Sequence, residues 1–385
     1  MKDWCGLADR LLMTRRRTYI LLGLLFIMLV AFAGCQGGLR HESWPGMTVV
    51  DDVIYVANLE RVQALNSESG KVYWSFPPES DKDLRPFYAT PVLAEDVGPY
   101  GVLLIAGYKD RTVYALKLGE SPAERPDELW RFDGAGGQFV AGGVLYNKSF
   151  IIGNGDGSVY ALDIETGDML WSYLTGDRVW ATPVVVGDAV YVASLDHYLY
   201  CLDAATGSEL WKMEMQGAMA ATPVATAGSL WVGDFSSTLY RINLESHTVE
   251  WTYSTKDWIW ATPVLHDTTM YLVDVGGSLY AINTETDALI WTKLDAIDDI
   301  VHGRPAFNED YSRLFVGGYE QGEIHVINTE NGAIVNTWTQ KNAGRLPGDL
   351  ISADGRLYTM PIMISERIQA FDQYSGDLVW PLSED

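Results

Sequence analysis

Cysteine is scarce in this chain of 385 residues, which contains only Cys5, Cys35 and Cys201. Only Cys201 would remain as a free thiol after the processing and lipidation predicted below, so the sequence indicates neither a disulfide framework nor a cysteine-based metal site. The fold must therefore be held together by packing, for which 48% hydrophobic and 12% aromatic residues are sufficient. Cys201 occupies a position that is alanine in several other copies of a repeat described below, and we expect it to be a core residue.

Basic side chains are also few, since 27 Lys and Arg stand against 51 Asp and Glu and leave a net charge of −24. A nucleic-acid partner is not expected, because binding to phosphates needs cations that release counterions. The six histidines are scattered and show no metal-ligand spacing, so we expect no metal. The glycine-rich stretch 153–157 has no helix after it and is interpreted as a tight β-turn rather than a phosphate site.

Long apolar runs are absent except near the N-terminus, where Arg15-Arg16-Arg17 precedes the run Tyr19–Ala33. This run is shorter than the roughly 20 residues of a membrane-spanning helix, and it ends in small residues, as signal peptides do. Phe32-Ala33-Gly34-Cys35 resembles a bacterial lipobox. We therefore predict a signal peptide over 1–34, lipidation of Cys35 and a tether over 35–43; an uncleaved signal anchor and a twin-arginine signal remain alternatives.

One frame, Ala-x-Asp-x-x-x-Gly-x-x-x-Trp, recurs along the rest of the chain, most clearly over 161–171 and 201–211. Asn replaces Asp in several copies, an insertion lengthens the copy that ends at Trp130, and Trp338 follows its glycine at a longer spacing. Repeats in the regular middle are 40 residues apart, the length of four strands and their turns. The frame contains eight tryptophans, which we expect to pack between neighbouring sheets: Trp74, Trp130, Trp171, Trp211, Trp251, Trp291, Trp338 and Trp380.

Each repeat also contains short β-branched and aromatic runs of period two, such as 189–194 and 197–202, separated by Gly and Asp turns. A four-stranded sheet cannot bury both of its faces alone, so the copies must stack radially. The sequence therefore predicts an all-β fold, an eight-bladed β-propeller of four-stranded antiparallel blades over residues 44–382.

The frame resembles the tryptophan-docking motif of the PQQ-like (quinoprotein) β-propeller repeat family. Its alcohol dehydrogenases hold pyrroloquinoline quinone (PQQ) between a Trp and a disulfide of adjacent cysteines, beside Ca²⁺. This chain has no such cysteine pair, so we expect neither catalysis nor bound PQQ. A PQQ-dependent oxidoreductase remains a third interpretation.

A minimal, lipid-anchored propeller of this kind resembles the BamB-type lipoproteins, which are scaffolds in outer-membrane β-barrel assembly. The resemblance implies a monomer that binds envelope proteins, such as a β-barrel assembly machine. It would do so at the periplasmic face of the outer membrane, or at the outer face of the cell membrane in a single-membrane cell. In those lipoproteins an N-terminal strand completes the last blade. Here the last repeat has its own Trp380, so we expect the ring to close without strand exchange.

A second recurring motif, with the consensus Ala-Thr-Pro, precedes the inner strand of several blades. Aligning the repeats on it places one equivalent residue per blade at one mouth of the central channel. The equivalent residues are Trp44, Tyr88, Val140, Trp180, Ala220, Trp260, His302 and Pro347. Two residues further on lie Gly46, Thr90, Gly142, Thr182, Thr222, Thr262, Arg304 and Asp349. Blades 7 and 8 break the pattern, and we expect Asp298 and Asp299 there to belong to a solvated loop.

Two interpretations of this mouth remain open. In the first, the aromatic residues pack between blades and the threonines hydrogen-bond along the channel wall. In the second, the mouth binds a quinone, a glycan or a peptide, since exposed aromatic side chains concentrate binding energy. The candidate binding residues are Trp44, Tyr88, Trp180, Trp260, His302, Arg304 and Asp349.

Overall fold

Alternating apolar and polar residues between Gly, Asp and Asn turns make every regular element of the described chain a β-strand. The computed structural model describes residues 46–58, 60–79, 86–339, 344–362 and 368–380. Within these residues, 32 strands form eight four-stranded antiparallel sheets, each built from four consecutive strands. The fold is the eight-bladed β-propeller that the repeats predict.

The first four blades follow the sequence in order. Blade 1 contains β1 (Met47–Val50), β2 (Val53–Asn58), β3 (Arg61–Asn66) and β4 (Val72–Phe76). Blade 2 contains β5 (Val92–Ala94), β6 (Val102–Ala106), β7 (Val113–Lys117) and β8 (Asp127–Phe132). Blade 3 contains β9 (Gly143–Tyr146), β10 (Ser149–Gly153), β11 (Ser158–Asp163) and β12 (Met169–Leu174). Blade 4 contains β13 (Val184–Val186), β14 (Ala189–Ala193), β15 (Tyr198–Asp203) and β16 (Glu209–Glu214).

The other four blades repeat this plan. Blade 5 contains β17 (Val224–Thr226), β18 (Ser229–Gly233), β19 (Thr238–Asn243) and β20 (Thr248–Ser254). Blade 6 contains β21 (Val264–His266), β22 (Thr269–Val273), β23 (Leu279–Asn283) and β24 (Leu289–Lys293). Blade 7 contains β25 (Ala306–Phe307), β26 (Arg313–Gly317), β27 (Ile324–Asn328) and β28 (Ile334–Trp338). Blade 8 contains β29 (Ile351–Ala353), β30 (Arg356–Thr359), β31 (Gln369–Asp372) and β32 (Leu378–Trp380).

The ring closes between blade 8 and blade 1. Strand β29 contacts β1, and Tyr358 and Trp380 pack in one core with Ile54 and Leu65. Every blade of the described chain is completed by its own fourth strand, which confirms closure without strand exchange.

The frame tryptophans join each blade to the next. The indole N–H of Trp130 donates to the carbonyl of Ile164 at 2.8 Å, and Trp171 donates to Ala204 at 3.1 Å. The same bond recurs from Trp291 to Thr329 and, at the closure, from Trp380 to Ser67. These four junctions therefore combine a directional hydrogen bond with apolar contact.

Trp338 departs from this register. Asn336 of β28 pairs with Val326, in the place where the other blades have their tryptophan, and Trp338 lies two residues further along the strand. The ring still reaches the next blade, where it stacks near Phe371 and lies against Gly376. Its indole nitrogen has no hydrogen-bond partner in the described chain, because the shift moves it away from the turn carbonyl.

Every outer strand carries a β-bulge at the residue just before this register position. In blade 3, for example, Ala161 pairs with Trp171 while Leu162 pairs with Met169, so that Leu170 is the extra residue. Bulges twist an edge strand and hinder open-ended pairing with other chains. Five of these extra residues are apolar and between 43% and 55% exposed: Leu129, Leu170, Leu210, Ile290 and Val335.

Candidate functional site

The equivalent residues that precede the inner strands lie around a cavity of about 310 Å³ at one mouth of the channel. Each residue comes from the segment that leads into a different inner strand, so the eightfold ring aims all of them at the axis. Trp44 lies outside the described residues. The other seven equivalent positions all line the cavity: Tyr88, Val140, Trp180, Ala220, Trp260, His302 and Pro347.

Aromatic side chains contact one another across this mouth. The rings of Trp180 and Trp260 approach to 6.5 Å between centroids, although they belong to blades 4 and 6. Blade 5 contributes Ala220 between them, whose small side chain leaves the space for this contact. The ring of His302 lies 5.1 Å from that of Trp260 and continues the wall toward blade 7.

Tyr88 is buried, although the sequence predicted it to be among the exposed aromatic residues of the mouth. Only 4% of its surface is exposed, and its ring packs edge-on against Tyr108 at 4.7 Å. This burial raises the pKa of the Tyr88 phenol well above its ordinary value, with a smaller contribution from Tyr108. Tyr88 therefore contributes a fixed part of the wall.

Below the aromatic ring, hydrogen bonds run from blade to blade around the channel. The N–H of Thr182 donates to Oγ1 of Thr222, and the N–H of Thr222 donates to Oγ1 of Thr262, each at 3.2 Å. This is the contact expected if the threonines stabilise the channel wall. It is compatible with a binding role for the mouth, because these threonines line the same cavity below the aromatic residues.

Asp349 takes the place of a threonine in this ring. Its Oδ1 accepts the N–H of Arg304 at 2.8 Å, the same relation that links neighbouring threonines. Part of the Asp349 surface is exposed in the channel. Many protein atoms nevertheless surround the carboxylate, and the resulting desolvation raises its pKa. Arg304 opposes the shift through its N–H and its charge. Both residues line a wider cavity of about 810 Å³ on the far side of the ring, but only Asp349 also lines the mouth cavity.

The second-to-third-strand hairpins add aromatic residues that sequence reasoning missed. Tyr108 lines the cavity, and Phe235 stacks between Trp258 and Trp260 at 5.5 and 5.2 Å. Trp258 is 50% exposed, so this stack extends the aromatic surface outward from the mouth.

These hairpins are positioned by a recurring carboxylate–tyrosine pair. Asp156 accepts the Tyr160 hydroxyl and the N–H of Gly136, both at 2.7 Å. The pair recurs as Asp110–Tyr114, Asp196–Tyr200, Asp234–Tyr240 and Asp274–Tyr280. The spacing of four or six residues between Asp and Tyr is visible in the sequence and could have located the hairpins.

Asp298 and Asp299 lie in the loop between blades 6 and 7, as expected, and Asp298 is exposed to solvent. Asp299 is half-buried, and its carboxylate accepts three backbone N–H groups, including that of Glu320 at 2.9 Å. Arg345 pairs with Glu320 at 2.9 Å and lies over the Tyr319 ring. These residues hold the blade 7 hairpin beside the mouth.

Three further properties of the described residues concern metal ions, membrane-spanning helices and the buried cysteine. No group of three or more His, Cys, Asp or Glu side chains in the described ranges could hold a metal ion. The same residues include no helix that is long and apolar enough to cross a membrane. Cys201 is buried in the core, which raises the pKa of its thiol to about 11.

The repeats of this chain match the profile of a known protein family. The family profile of outer membrane protein assembly factor BamB, a PQQ-repeat family, matches residues 123–200, 195–308 and 288–385. Together these segments span most of the chain, from the end of blade 2 to the C-terminus. No curated protein matches the chain.

Solved structures share the fold at low sequence identity. BamB from Moraxella catarrhalis is 18% identical with a TM-score of 0.67, over 86% of this chain and 94% of that one. The computationally designed Ika8 protein is 12% identical with a TM-score of 0.69, over 86% and 96%. A europium-containing methanol dehydrogenase is 13% identical with a TM-score of 0.60, over 72% and 76%. The fold is thus shared with an enzyme, but the profile match shows that the chain belongs to the family of outer membrane protein assembly factor BamB.

Proposed function

We propose that this chain is a non-catalytic protein–protein interaction scaffold, tethered to a membrane, that takes part in the assembly of cell-envelope proteins such as outer-membrane β-barrels. The observation that carries the proposal is the match of the assembly-factor profile over three consecutive segments, 123–200, 195–308 and 288–385. The periplasmic face of the outer membrane is the matching location.

The surface best suited to a protein partner is the outer rim of the blades. One edge of each outer strand has no neighbouring strand in the described chain. The bulge hinders open-ended pairing, so a partner strand would pair with a short stretch of this edge on one side of the bulge. Several bulge side chains on these strands are exposed, and Leu170 and Leu210 of adjacent blades are 50% and 55% exposed. A partner strand or loop could bury these side chains and contact the open edge.

A crosslinking scan around the ring tests this proposal. A photo-reactive amino acid is placed, one variant at a time, at the equivalent bulge residues Leu129, Leu170, Leu210, Ile290 and Val335 in living cells. A real docking surface gives crosslinks to one envelope-assembly protein from two or three adjacent blades only, and the remaining positions are matched controls. Uniform labelling, or no product at any position, contradicts the scaffold role.

The proposal that the chain does not use PQQ is supported by the lining of the mouth. PQQ is a quinone with three carboxylates, whereas the described lining of the mouth cavity includes the Asp349 carboxylate and no Lys or Arg. Like charges within one small cavity repel, so these residues do not fit the cofactor. Titration with PQQ and Ca²⁺ should give neither quinone absorbance on the protein nor dye-linked oxidation.

Cys35 is the proposed lipid anchor, and its replacement makes a direct prediction. We expect Cys35→Ser to abolish labelling by a radioactive fatty acid and to leave the precursor unprocessed, because the thiol is the acylation site. Cys5→Ser is the matched control and should label as the parent chain does. Equal labelling of Cys35→Ser and the parent chain would exclude this anchor.

A second candidate function is binding of a small ligand at the mouth. The favouring observation is the cavity itself, in which seven equivalent positions converge on one space with aromatic walls. The two functions use different surfaces and are compatible.

A further inference from the structure

The mouth cavity has aromatic walls on facing sides of the ring. Tyr88 and Tyr108 belong to blade 2, which lies opposite blade 6 and its Trp260 in an eightfold ring. Trp180 and His302 fill the arc on either side of Trp260. The faces of such rings carry negative potential, which attracts a cation placed within about 6 Å.

The charge within the cavity lining has the same sign as the ring faces, although two cations lie just outside it: Arg178 is 5.9 Å from the Trp180 ring, and the charge of Arg304 acts on Asp349. Asp349 is an acidic lining residue, whereas the described lining includes no Lys or Arg. Arg304 lines the wider cavity and is not part of the mouth lining. The whole chain carries a net charge of −24, which raises the local concentration of cations and lowers that of anions.

The size of the cavity limits what it can hold. Small-molecule sites occupy roughly 300–1,000 Å³, and this cavity, at about 310 Å³, is at the lower end. It has room for one compact headgroup and not for a folded segment of another protein.

We propose that the mouth cavity binds an organic cation, an ammonium group that is free or carries methyl groups, held against the aromatic faces with Asp349 as its counter-ion. The proposal rests on the second candidate function, ligand binding at the mouth. It does not depend on the scaffold role. The ammonium group can come from a small molecule of the choline type or from a lysine side chain.

Calorimetric titration of the purified full-length chain, in a detergent without ammonium groups, tests the chemistry. The probes are choline, tetramethylammonium, Nα-acetyl-lysine amide and 3,3-dimethylbutan-1-ol, the uncharged isostere of choline. We expect at least one ammonium probe to bind. If choline binds, its neutral isostere should bind about tenfold more weakly, because it has no charge to interact with the aromatic faces or with the Asp349 carboxylate.

Three variants place the site. Asp349→Asn keeps an oxygen acceptor for the Arg304 N–H and removes only the charge, and Trp260→Leu removes one aromatic face. Each should lower the affinity about tenfold. Tyr100→Leu is the control, since Tyr100 is 45% exposed and lies outside the cavity lining. Its affinity should be unchanged, and thermal melts of all three variants verify that they are folded.

The outcomes are distinct. Binding of choline alone assigns a quaternary ammonium ligand, and binding of the lysine amide alone assigns a lysine side chain; both support the proposal. If the neutral isostere binds as tightly as choline, or if Asp349→Asn changes nothing, the cation proposal is overturned while the mouth remains a ligand site. If no probe binds at tens of millimolar, the ligand site falls as well, and the crosslinking scan still decides the scaffold role.

Discussion

The turn between the third and fourth strands of a blade, here called the docking turn, packs against the frame tryptophan of the preceding blade. One residue in it must adopt a left-handed backbone conformation and also leave room for the indole. Gly207 has a φ of 72°, a left-handed conformation that L-residues rarely adopt. A Cβ at the same position would also come within 2.5 Å of the Trp171 ring of the preceding blade. In blade 5 His247 stands at this position with a φ of 54°, and its ring packs against Trp211 at 5.0 Å. A residue other than glycine can thus adopt the left-handed backbone conformation. Glycine is required at Gly207 because the indole of Trp171 lies where a Cβ would be.

Replacing Gly207 by Ala separates these two requirements when Gly187 is the control. Gly187 has a similar φ of 61° but open space around its missing Cβ. Gly187→Ala should cost only the backbone strain, about 1–2 kcal/mol. Gly207→Ala should lower the free energy of unfolding further, because the methyl displaces Trp171. Denaturant titration measures both, and equal losses would show that the indole contact adds nothing.

The residues of the mouth divide into those that repeats can reveal and those that they cannot. Trp180, Trp260 and His302 stand at equivalent repeat positions, so the eightfold symmetry alone places them together. Tyr108 and Phe235 lie on hairpins of variable length, and their contacts join residues that share no register. The enclosure of Tyr88 follows from Tyr108 and was equally beyond the repeat pattern.

At the scale of the element, the docking turn and its indole bond determine how firmly two blades are joined. The carbonyl of Ala204 accepts the Trp171 indole N–H at 3.1 Å. The carbonyl of Ser67 accepts from Trp380 and Arg356 at 3.0 Å and from Tyr358 at 3.3 Å. The contact that closes the ring is therefore reinforced by two donors from blade 8 besides the indole.

Substitution of the two indoles by phenyl rings should differ accordingly. In Trp171→Phe the buried carbonyl of Ala204 loses its donor, which typically costs about 1–3 kcal/mol. In Trp380→Phe the Ser67 carbonyl keeps two donors, so the loss should be smaller by about 1 kcal/mol. The loss of ring volume is the same in both variants and cancels in the comparison. A larger loss for Trp380→Phe in thermal unfolding would contradict this account.

The turns also make stability depend on pH. The hydroxyl and N–H of Thr206 donate to the Asp203 carboxylate and lower its pKa below the ordinary value. The folded state therefore binds its proton at lower pH than the unfolded state does, so the stabilisation is present above the unfolded pKa and lost on acidification. Asp203→Asn should remove this contribution, so its deficit at pH 7 should shrink as the pH falls below the ordinary aspartate pKa and vanish once the carboxyl is protonated in both states. A deficit that stays constant with pH would argue against it.

The elements themselves were largely predictable, because period-two runs bounded by Gly and Asp turns determine where strands begin and end. The strand Ala189–Ala193 lies where the apolar run 189–194 indicates it. The displaced Trp338 was not predictable in the same way, since the register of β28 depends on the bulge and on packing against Phe371.

For the whole molecule, net charge governs how the chain behaves in solution. A charge of −24 at pH 7 keeps copies apart, and the sequence pI is about 4.5. We expect light scattering at pH 7 and moderate salt to give the mass of one chain, and self-association to appear as the pH approaches 4.5. A stable dimer at pH 7 would contradict the monomer expected from the sequence.

The closure of the ring without strand exchange has an evolutionary consequence. Since every blade begins and ends within its own stretch of sequence, duplication or deletion of one repeat in the gene adds or removes one whole blade and leaves no strand unmatched. The family profile matches from residue 123 onward, and the first two blades have the same four-stranded plan as the matched ones. Such a chain can change the number and the surface of its units by recombination alone.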